Sequence, residues 1–155
     1  MAGFVDGEGC LTISRQKRKG RPSPAYRVFI SVSNTNRNVL SIFKSEYGGG
    51  IYNIHDRRKD KRGKNWSDAF DWYCPVSSSK RFIMDILPYL RLKKPQAMII
   101  LHFLTTKNGF KRTHWPGRGK GSAPLSPEEI THREWLRQEI HKLNTKGPDA
   151  RKGVV

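Results

Sequence analysis

Four segments of this sequence alternate apolar and polar residues with a period of two. They are Cys10–Arg18, Ala25–Ser33, Ile51–Arg57 and Trp66–Cys74. Successive side chains of a strand point to opposite faces, so the pattern predicts strands with one buried face and one solvated face. A basic turn with glycine and proline joins the first two segments, and a charged loop joins the last two. The alternation therefore predicts two hairpins in an antiparallel sheet.

Helix signals lie between and after the hairpins. One predicted helix ends before Gly48, a second ends at Leu87, and a third covers Gln96–Thr105. A capping box at residues 126–129, Ser-Pro-Glu-Glu, begins a last helix that ends near Leu143. Helices that separate and follow antiparallel hairpins are typical of an α+β fold.

The length of the chain fits a single domain. Its 155 residues are about one domain's worth of sequence. With a short helix at the start, the element order predicts an αββαββα core with a four-stranded, saddle-like antiparallel sheet. We assign this core to residues 1–106, and we assign residues 107–155 to a basic loop and an extra C-terminal helix of the same domain.

The charge of the chain restricts its partners. Lysine and arginine number 30 against 13 aspartates and glutamates, which gives a formal net charge of +17. This excess is larger than solubility requires, and its default partner is nucleic acid. The longest apolar stretch, residues 97–104, is far shorter than the roughly 20 residues of a membrane span, and no signal segment opens the chain. We expect neither a membrane partner nor a small-molecule substrate.

The polar face of the predicted sheet carries side chains that can donate to and accept from base edges in a DNA major groove. A nine-residue strand spans about 30 Å, or roughly nine base pairs. Any antiparallel sheet has a solvated polar face, so the pattern alone leaves both interpretations open, and the charge favours binding. The candidate DNA contacts are Thr12, Ser14, Gln16, Arg18, Arg27, Ser31, Asn53, His55, Arg57, Asp71 and Tyr73. The residues predicted to be buried on the opposite face are Leu11, Ile13, Tyr26, Val28, Ile30, Val32, Tyr52, Ile54, Phe70 and Trp72.

The opening residues, MAGFVDGEG, are acidic in an otherwise basic protein. Gly3 and Gly7 lie on one face of the predicted first helix, and small residues at this spacing let another helix approach closely. Glu8 lies at the C-terminal end, where Gly9 can end the helix in the left-handed conformation. A carboxylate there faces the negative end of the helix dipole and needs a nearby cation. Two such helices packed symmetrically would form an oxygen-rich Mg²⁺ site, whereas a lone Asp-x-Glu is more often a solvated turn or a cap.

This opening motif, followed by an alternating strand, resembles the signature of the LAGLIDADG homing endonucleases. Met1 stands in place of the leading leucine, and Glu8 stands in place of the last acid. The order of helices and hairpins is also similar, and residues 87–97 resemble the stretch that carries the active-site lysine of the family, here Lys93. The resemblance covers roughly residues 1–106.

The resemblance implies a homing endonuclease that makes a double-strand break in a long, nearly palindromic DNA target by Mg²⁺-dependent phosphodiester hydrolysis. Glu8 and the Gly7 carbonyl would hold Mg²⁺, for which Mn²⁺ or Ca²⁺ can substitute in binding. The implied catalytic residues are Glu8, Asn34, Lys93 and Arg37, of which Asn34 would position water and Lys93 would stabilise phosphate charge. Asp6 is expected to support the site or the helix junction. Such a protein would act on DNA inside the cell, in a bacterial or archaeal cytoplasm or an organelle, and would not be secreted.

A single copy of the motif implies a homodimer, because two-fold protein symmetry is mirrored in a palindromic site. The expected interface residues are Ala2, Gly3, Phe4 and Gly7. A second interpretation is a non-catalytic RNA- or DNA-binding protein, such as an intron maturase, on the same scaffold. The basic residues Lys111, Arg112, Arg118 and Lys120 would contact the DNA backbone or belong to a solvated loop.

Overall fold

The computed structural model describes residues 1–17, 19, 23–54, 68–106 and 124–145. The elements in chain order are helix α1 (Ala2–Glu8), strands β1 (Gly9–Gln16) and β2 (Ala25–Asn34), helix α2 (Arg37–Tyr47), strands β3 (Gly50–Asn53) and β4 (Phe70–Tyr73), helix α3 (Ser79–Ile86), a 3-10 turn (Leu87–Tyr89), and helices α4 (Lys94–Thr106) and α5 (Pro127–Asn144). The predicted α+β fold, with its two hairpins and extra C-terminal helix, is confirmed.

The strands form one antiparallel sheet in the order β1-β2-β4-β3. In the first hairpin Leu11 lies opposite Ile30, and Ile13 lies opposite Val28, so these apolar side chains share one face. Val32 of β2 lies opposite Trp72 of β4. The second hairpin therefore pairs with the first, and its inward residues lie on the same face of the sheet. This covered face carries the core, and the polar face lies on the other side of the sheet.

An aromatic group closes the core under β4. The Trp72 ring lies 5.2 Å from Phe43 of α2 and 5.3 Å from Phe82 of α3, measured between ring centroids. The indole nitrogen of Trp72 donates a 2.8 Å hydrogen bond to the carbonyl oxygen of Gly48. Gly48 follows α2 with a φ of 75°, a conformation that side chains other than glycine rarely adopt. The end of α2 is thereby fixed to the sheet.

Helix α5 packs against the same core. Leu136 and Ile140 are fully buried in it. The Tyr26 hydroxyl donates a 2.7 Å hydrogen bond to Glu134, and the amide nitrogen of Asn144 donates a 2.9 Å hydrogen bond to the Leu11 carbonyl. No helix in the described part of the chain is long and apolar enough to cross a membrane.

Strand β3 differs from its predicted phase by one residue. Ile51 lies opposite Trp72 and Asn53 lies opposite Phe70, so both belong to the covered face. Tyr52, between them, lies on the polar face and is 59% exposed. The predictions that Tyr52 is buried and that Asn53 lies on the DNA-facing side are wrong. Two adjacent apolar residues begin the strand, and only the pairing with β4 decides which of them points inward.

The end of α1 also differs from the expectation. Gly9 is extended, with φ −81° and ψ 148°, instead of left-handed. A Cβ atom on Gly9 would lie 2.6 Å from the carbonyl oxygen of Val5. The glycine is therefore required by the close approach of β1 to the helix and not by its backbone conformation.

Candidate active site and nucleic-acid interface

Hydrogen bonds in both directions join the end of α1 to the turn before α4. The Asp6 carboxylate accepts from the backbone N–H groups of Arg91 at 2.8 Å, Leu92 at 3.1 Å and Lys93 at 2.8 Å. The Lys93 ammonium donates to the carbonyl oxygens of Val5 at 2.9 Å and Asp6 at 2.6 Å. Carbonyls in the last turn of a helix need partners from outside the helix, and a cation there also faces the negative end of the dipole.

The charge state of Asp6 follows from this junction. Burial raises the pKa of the Asp6 carboxyl, but the backbone N–H groups of Arg91, Lys93 and Leu92 and the charge of Lys93 lower it more. The net pKa lies below its ordinary value, so Asp6 is an anion at neutral pH. Because its oxygens accept these bonds, Asp6 supports the helix junction.

The four residues implied as catalytic lie at one end of the sheet. Glu8 immediately precedes β1 and is exposed. Gly9 lies opposite Val32, so the start of β1 is beside the end of β2, where Asn34 is the last residue. Arg37 begins α2 three residues later and is exposed. Lys93 reaches the same place through its bonds to α1.

The Asn34 side chain is oriented by the backbone of Asn36, two residues later. Its Oδ1 accepts a 2.8 Å hydrogen bond from the N–H of Asn36. Asn36 in turn caps α2, because its Oδ1 accepts a 3.0 Å hydrogen bond from the N–H of Asn38. Because its oxygen accepts within this turn, the hydrogen-bond donors of the Asn34 side chain are on its amide nitrogen.

The donor atoms at the end of α1 are hard oxygens. They are the exposed Glu8 carboxylate and the carbonyl of Gly7 in the last helical turn. Within the described ranges no three His, Cys, Asp or Glu side chains form a metal-binding group. Mg²⁺ is commonly held by one or two carboxylates with water and substrate phosphate, and a carboxylate beside a backbone carbonyl offers oxygen ligands of this kind.

Cys10 lies on the polar face of β1, close to the junction between α1 and the turn at residues 91–93. Burial raises the pKa of the Cys10 thiol, the charge of Lys93 opposes this rise, and the charge of Asp71 adds to it. Cys10 therefore lies within electrostatic reach of both residues. Its thiol is protonated at neutral pH and is a poor nucleophile or metal ligand.

The register assigns the predicted DNA contacts to faces. Thr12, Ser14 and Gln16 lie on the polar face of β1, and Arg27 lies on the same face of β2. Gln16 and Arg27 are exposed, and Thr12 and Ser14 are partly exposed. Ser31 shares the face but is only 6% exposed, so it offers little surface to a partner, and its contact with DNA stays a prediction. Predicted contacts Arg18, His55 and Arg57 lie outside the described residues, as do Lys111, Arg112, Arg118 and Lys120.

The polar face carries a group of neighbouring aromatic side chains, which we call the aromatic cluster: Phe29, Tyr52 and Tyr73. Of these, only Tyr73 was among the predicted DNA contacts. The Tyr73 ring lies 5.3 Å from Phe29 and 5.6 Å from Tyr52. Tyr73 donates a 3.0 Å hydrogen bond to Asp71, whose other oxygen accepts a 2.5 Å hydrogen bond from Ser33. The interruption of the β2 alternation by Phe29 was the available sequence signal.

Helix α1 presents an open surface beside the site. Val5 is fully buried, and Phe4 is 41% exposed. Gly3 and Gly7 are exposed, and apart from the backbone of α1 a Cβ atom on either would meet none of the described residues within 4 Å. Ala2 packs partly against the core of its own chain, so it is less available to a partner than the other predicted interface residues.

The geometry thus defines a basic α+β protein with an acidic helix end at the edge of a polar sheet face. The sequence model of the LAGLIDADG endonuclease family matches residues 1–107. The chain therefore belongs to this family, as its opening motif predicts.

Solved structures of homing endonucleases share the fold. The chain is 23% identical to I-CvuI, solved with the I-CreI target in 2 mM Mg with the DNA not cleaved; the match covers 94% of this chain and 80% of that one, with a TM-score of 0.62. It is 18% identical to the archaeal intron-encoded I-Vdi141I complexed with DNA, with coverage of 94% and 82% and a TM-score of 0.65. It is 18% identical to the homing endonuclease I-TnaI; the match covers 97% of this chain and 90% of that one, with a TM-score of 0.63. Among curated proteins no sequence matched.

Proposed function

We propose that the protein is a site-specific homing endonuclease that makes a double-strand break in a long, nearly palindromic DNA target by Mg²⁺-dependent phosphodiester hydrolysis. The position of Glu8 carries this proposal. Its exposed carboxylate ends a helix whose adjacent carbonyl oxygens accept from the Lys93 ammonium. An acid at the negative end of a helix is unfavourable without a cation, and a divalent ion beside phosphate would supply that partner.

Each functional residue has a specific role in this proposal. Glu8 and the Gly7 carbonyl would hold Mg²⁺, which when bound polarises a phosphoryl oxygen and lowers the pKa of water. Lys93 brings positive charge to the place where phosphate charge develops. Asn34 donates from its amide nitrogen to the attacking water or a phosphate oxygen, and Arg37 binds the phosphate backbone.

The glycines of α1 support a homodimer. Glycine in a helix costs about 1 kcal/mol relative to alanine. Among the described residues no neighbour requires this cost at Gly3 or Gly7, because a Cβ atom at either position would meet no atom outside the backbone of the helix within 4 Å. A second copy of α1, packed closely against the first, explains both residues. The two Glu8 carboxylates would then approach each other near the two-fold axis.

The polar sheet face supports DNA binding. Arg27, Gln16, Ser14 and Thr12 form a polar surface on the β1–β2 hairpin. These side chains can bond base edges in the major groove, and the net charge of +17 supplies attraction to phosphates. Two such surfaces, one from each copy, would read the two halves of a palindromic target.

The direct test is selection from a randomised palindromic duplex library. The full chain would first be used to select bound duplexes in Ca²⁺, and these would then be incubated in Mg²⁺ and sequenced at their cut ends. We expect one nearly palindromic target, cut on both strands near its centre. Bound duplexes that stay intact in Mg²⁺ would instead indicate the non-catalytic binding protein.

A further inference from the structure

The aromatic cluster is an apolar group in the middle of the surface that would face DNA. Its members come from β2, β4 and β3, and the cluster crosses the sheet diagonally. Phe29 is 40% exposed and Tyr52 is 59% exposed. Their strand neighbours on this face include polar residues such as Thr12, opposite Phe29, and Asp71, opposite Tyr52. Exposed aromatic carbon among polar groups is costly in water and indicates a contact surface.

Two further contacts fix the rings in place. The Tyr73 hydroxyl is held by Asp71, which Ser33 holds from β2. The Tyr52 ring lies back over Gly50, where an added Cβ atom would come within 2.5 Å of the ring. The Tyr52 ring can occupy this place because Gly50 has no side chain. Two of the three rings are therefore held in place before any partner binds, which reduces the entropy cost of binding.

The chemistry of the major groove identifies the ligand. The edges of the four base pairs there present donors, acceptors and one apolar group, the 5-methyl group of thymine. Phosphates and sugars are contacted by charged and polar groups, tyrosine hydroxyls among them. Phe29 has no polar side-chain atom and the Tyr73 hydroxyl is hydrogen-bonded to Asp71, so the rings of the cluster present mainly apolar surface to the groove. Neighbouring ring centroids are 5.3 and 5.6 Å apart, more than the base-pair rise of about 3.4 Å, so the cluster extends over more than one base pair.

We propose that the aromatic cluster is a specificity site that binds thymine 5-methyl groups in the major groove, so that the target contains thymine at the positions facing Phe29 and Tyr52. This inference rests on the proposed function and adds a rule for the bases in the target. A methyl-sized apolar group is worth about fourfold in affinity, which corresponds to about 0.8 kcal/mol.

The test compares two randomised duplex libraries in Mg²⁺. One contains thymine, and the other contains uracil, which pairs identically with adenine but lacks the methyl group. With the thymine library, we expect the cut sites of the wild-type chain to contain thymine at fixed positions of each half-site. With the uracil library, the preference at those positions should fall by about fourfold per methyl group while preferences elsewhere persist.

Variants test the assignment to the cluster. Phe29→Ser and Tyr52→Ser should each remove the thymine preference at their own position, and Phe29→Leu should retain it because its side chain stays apolar. Gly50→Ala should weaken the preference facing Tyr52 by displacing that ring while removing no polar group. Trp135→Ser, which changes a 53% exposed aromatic residue on α5, is the matched control and should leave the selected target unchanged.

The outcomes separate the two proposals. Loss of the preference in uracil DNA and in the serine variants supports the inference. Cut sites that are identical in thymine and uracil libraries would overturn it while leaving the endonuclease intact. Sequence-independent stacking of unpaired bases on the rings would give no positional preference and would also overturn it. A failure to select any cut site would count against the proposed function itself.

Discussion

The carboxylate of Asp6 accepts the backbone N–H of Lys93, and the ammonium of Lys93 donates to the backbone carbonyl of Asp6. Each residue thus binds the main chain of the other with its side chain. The two acids of the opening motif therefore have different surroundings, since Asp6 holds the helix junction and Glu8, two residues later, is exposed.

Replacing Asp6 by Asn should therefore destabilise the protein, whereas replacing Glu8 by Gln should not. An amide can accept through only one oxygen, so Asp6→Asn leaves backbone N–H groups of the 91–93 turn unpaired, at a cost of about 1–3 kcal/mol. Glu8→Gln should change the free energy of unfolding by less than about 0.5 kcal/mol. Urea unfolding of both variants measures this difference, and equal stabilities would contradict the assigned role of Asp6.

Replacing Gly3 by Ala should stabilise the folded subunit and weaken the dimer. Alanine favours the helix by up to about 1 kcal/mol, so the isolated subunit should become more stable. The added methyl group should push the second copy of α1 away, and the dimer dissociation constant in sedimentation measurements should rise. Gly48→Ala is the control: its φ of 75° makes alanine strained there, so the subunit should lose stability with no change in dimerisation. An unchanged dimer in Gly3→Ala would place the interface elsewhere.

The stability of the protein should fall at alkaline pH in part through Tyr26. Burial, together with the hydrogen bond to Glu134 and its charge, raises the pKa of Tyr26 to about 12. The folded state therefore keeps a proton that the unfolded state loses near pH 10, and stability decreases as the pH rises from about 10 towards 12. Tyr26→Phe should show a shallower decrease over this interval in urea unfolding. Tyr89→Phe, at a 73% exposed ring, is the matched variant and should follow the wild type.

Replacing one partner of the buried ion pair of Glu129 and Arg133 should destabilise the protein more than replacing both partners by apolar residues. Their side chains are 2% and 5% exposed, and Arg133 also lies over the Phe103 ring. Arg133→Met removes the buried cation that pairs with the Glu129 carboxylate and should cost about 3–5 kcal/mol, whereas adding Glu129→Leu should recover part of that loss. Lys142→Met breaks an exposed pair with Glu139 and should cost less than about 1 kcal/mol. A double variant less stable than Arg133→Met would contradict this interpretation.

The sequence predicted the inward-pointing residues correctly in those strands whose apolar and polar residues allow only one assignment to the two faces. In β1 the inward Ile13 lies between Thr12 and Ser14, and in β2 the alternation of inward and polar residues has the single apolar exception Phe29, so the covered face is unambiguous. In β3 the adjacent Ile51 and Tyr52 allow two phases, and their pairing with β4 selects the one that the pattern did not. Ser31 points to the predicted face but is buried there, and burial depends on cross-strand neighbours that one strand does not reveal.

The candidate site, like the sheet, was predicted only in part from the sequence. The motif and its downstream order led to Glu8 and Lys93, and the structure brings both to the end of α1. The partners of Asp6 lie 85 to 87 residues away along the chain, so their identity required the folded structure. Of the aromatic cluster only Tyr73 was predicted to contact DNA. The proximity of the three rings was not predicted because they come from three strands and Tyr52 was assigned to the core.

The most direct test of the central claim is the rate at which wild type and Glu8→Gln cut the selected duplex in Mg²⁺, with binding measured separately in Ca²⁺. Glu128→Gln, at an exposed acid in the first turn of α5, is the matched control. We predict that Glu8→Gln binds the duplex but cuts it at least about 10²-fold more slowly, and that Glu128→Gln cuts at the wild-type rate. Cutting by Glu8→Gln at the wild-type rate would contradict the account.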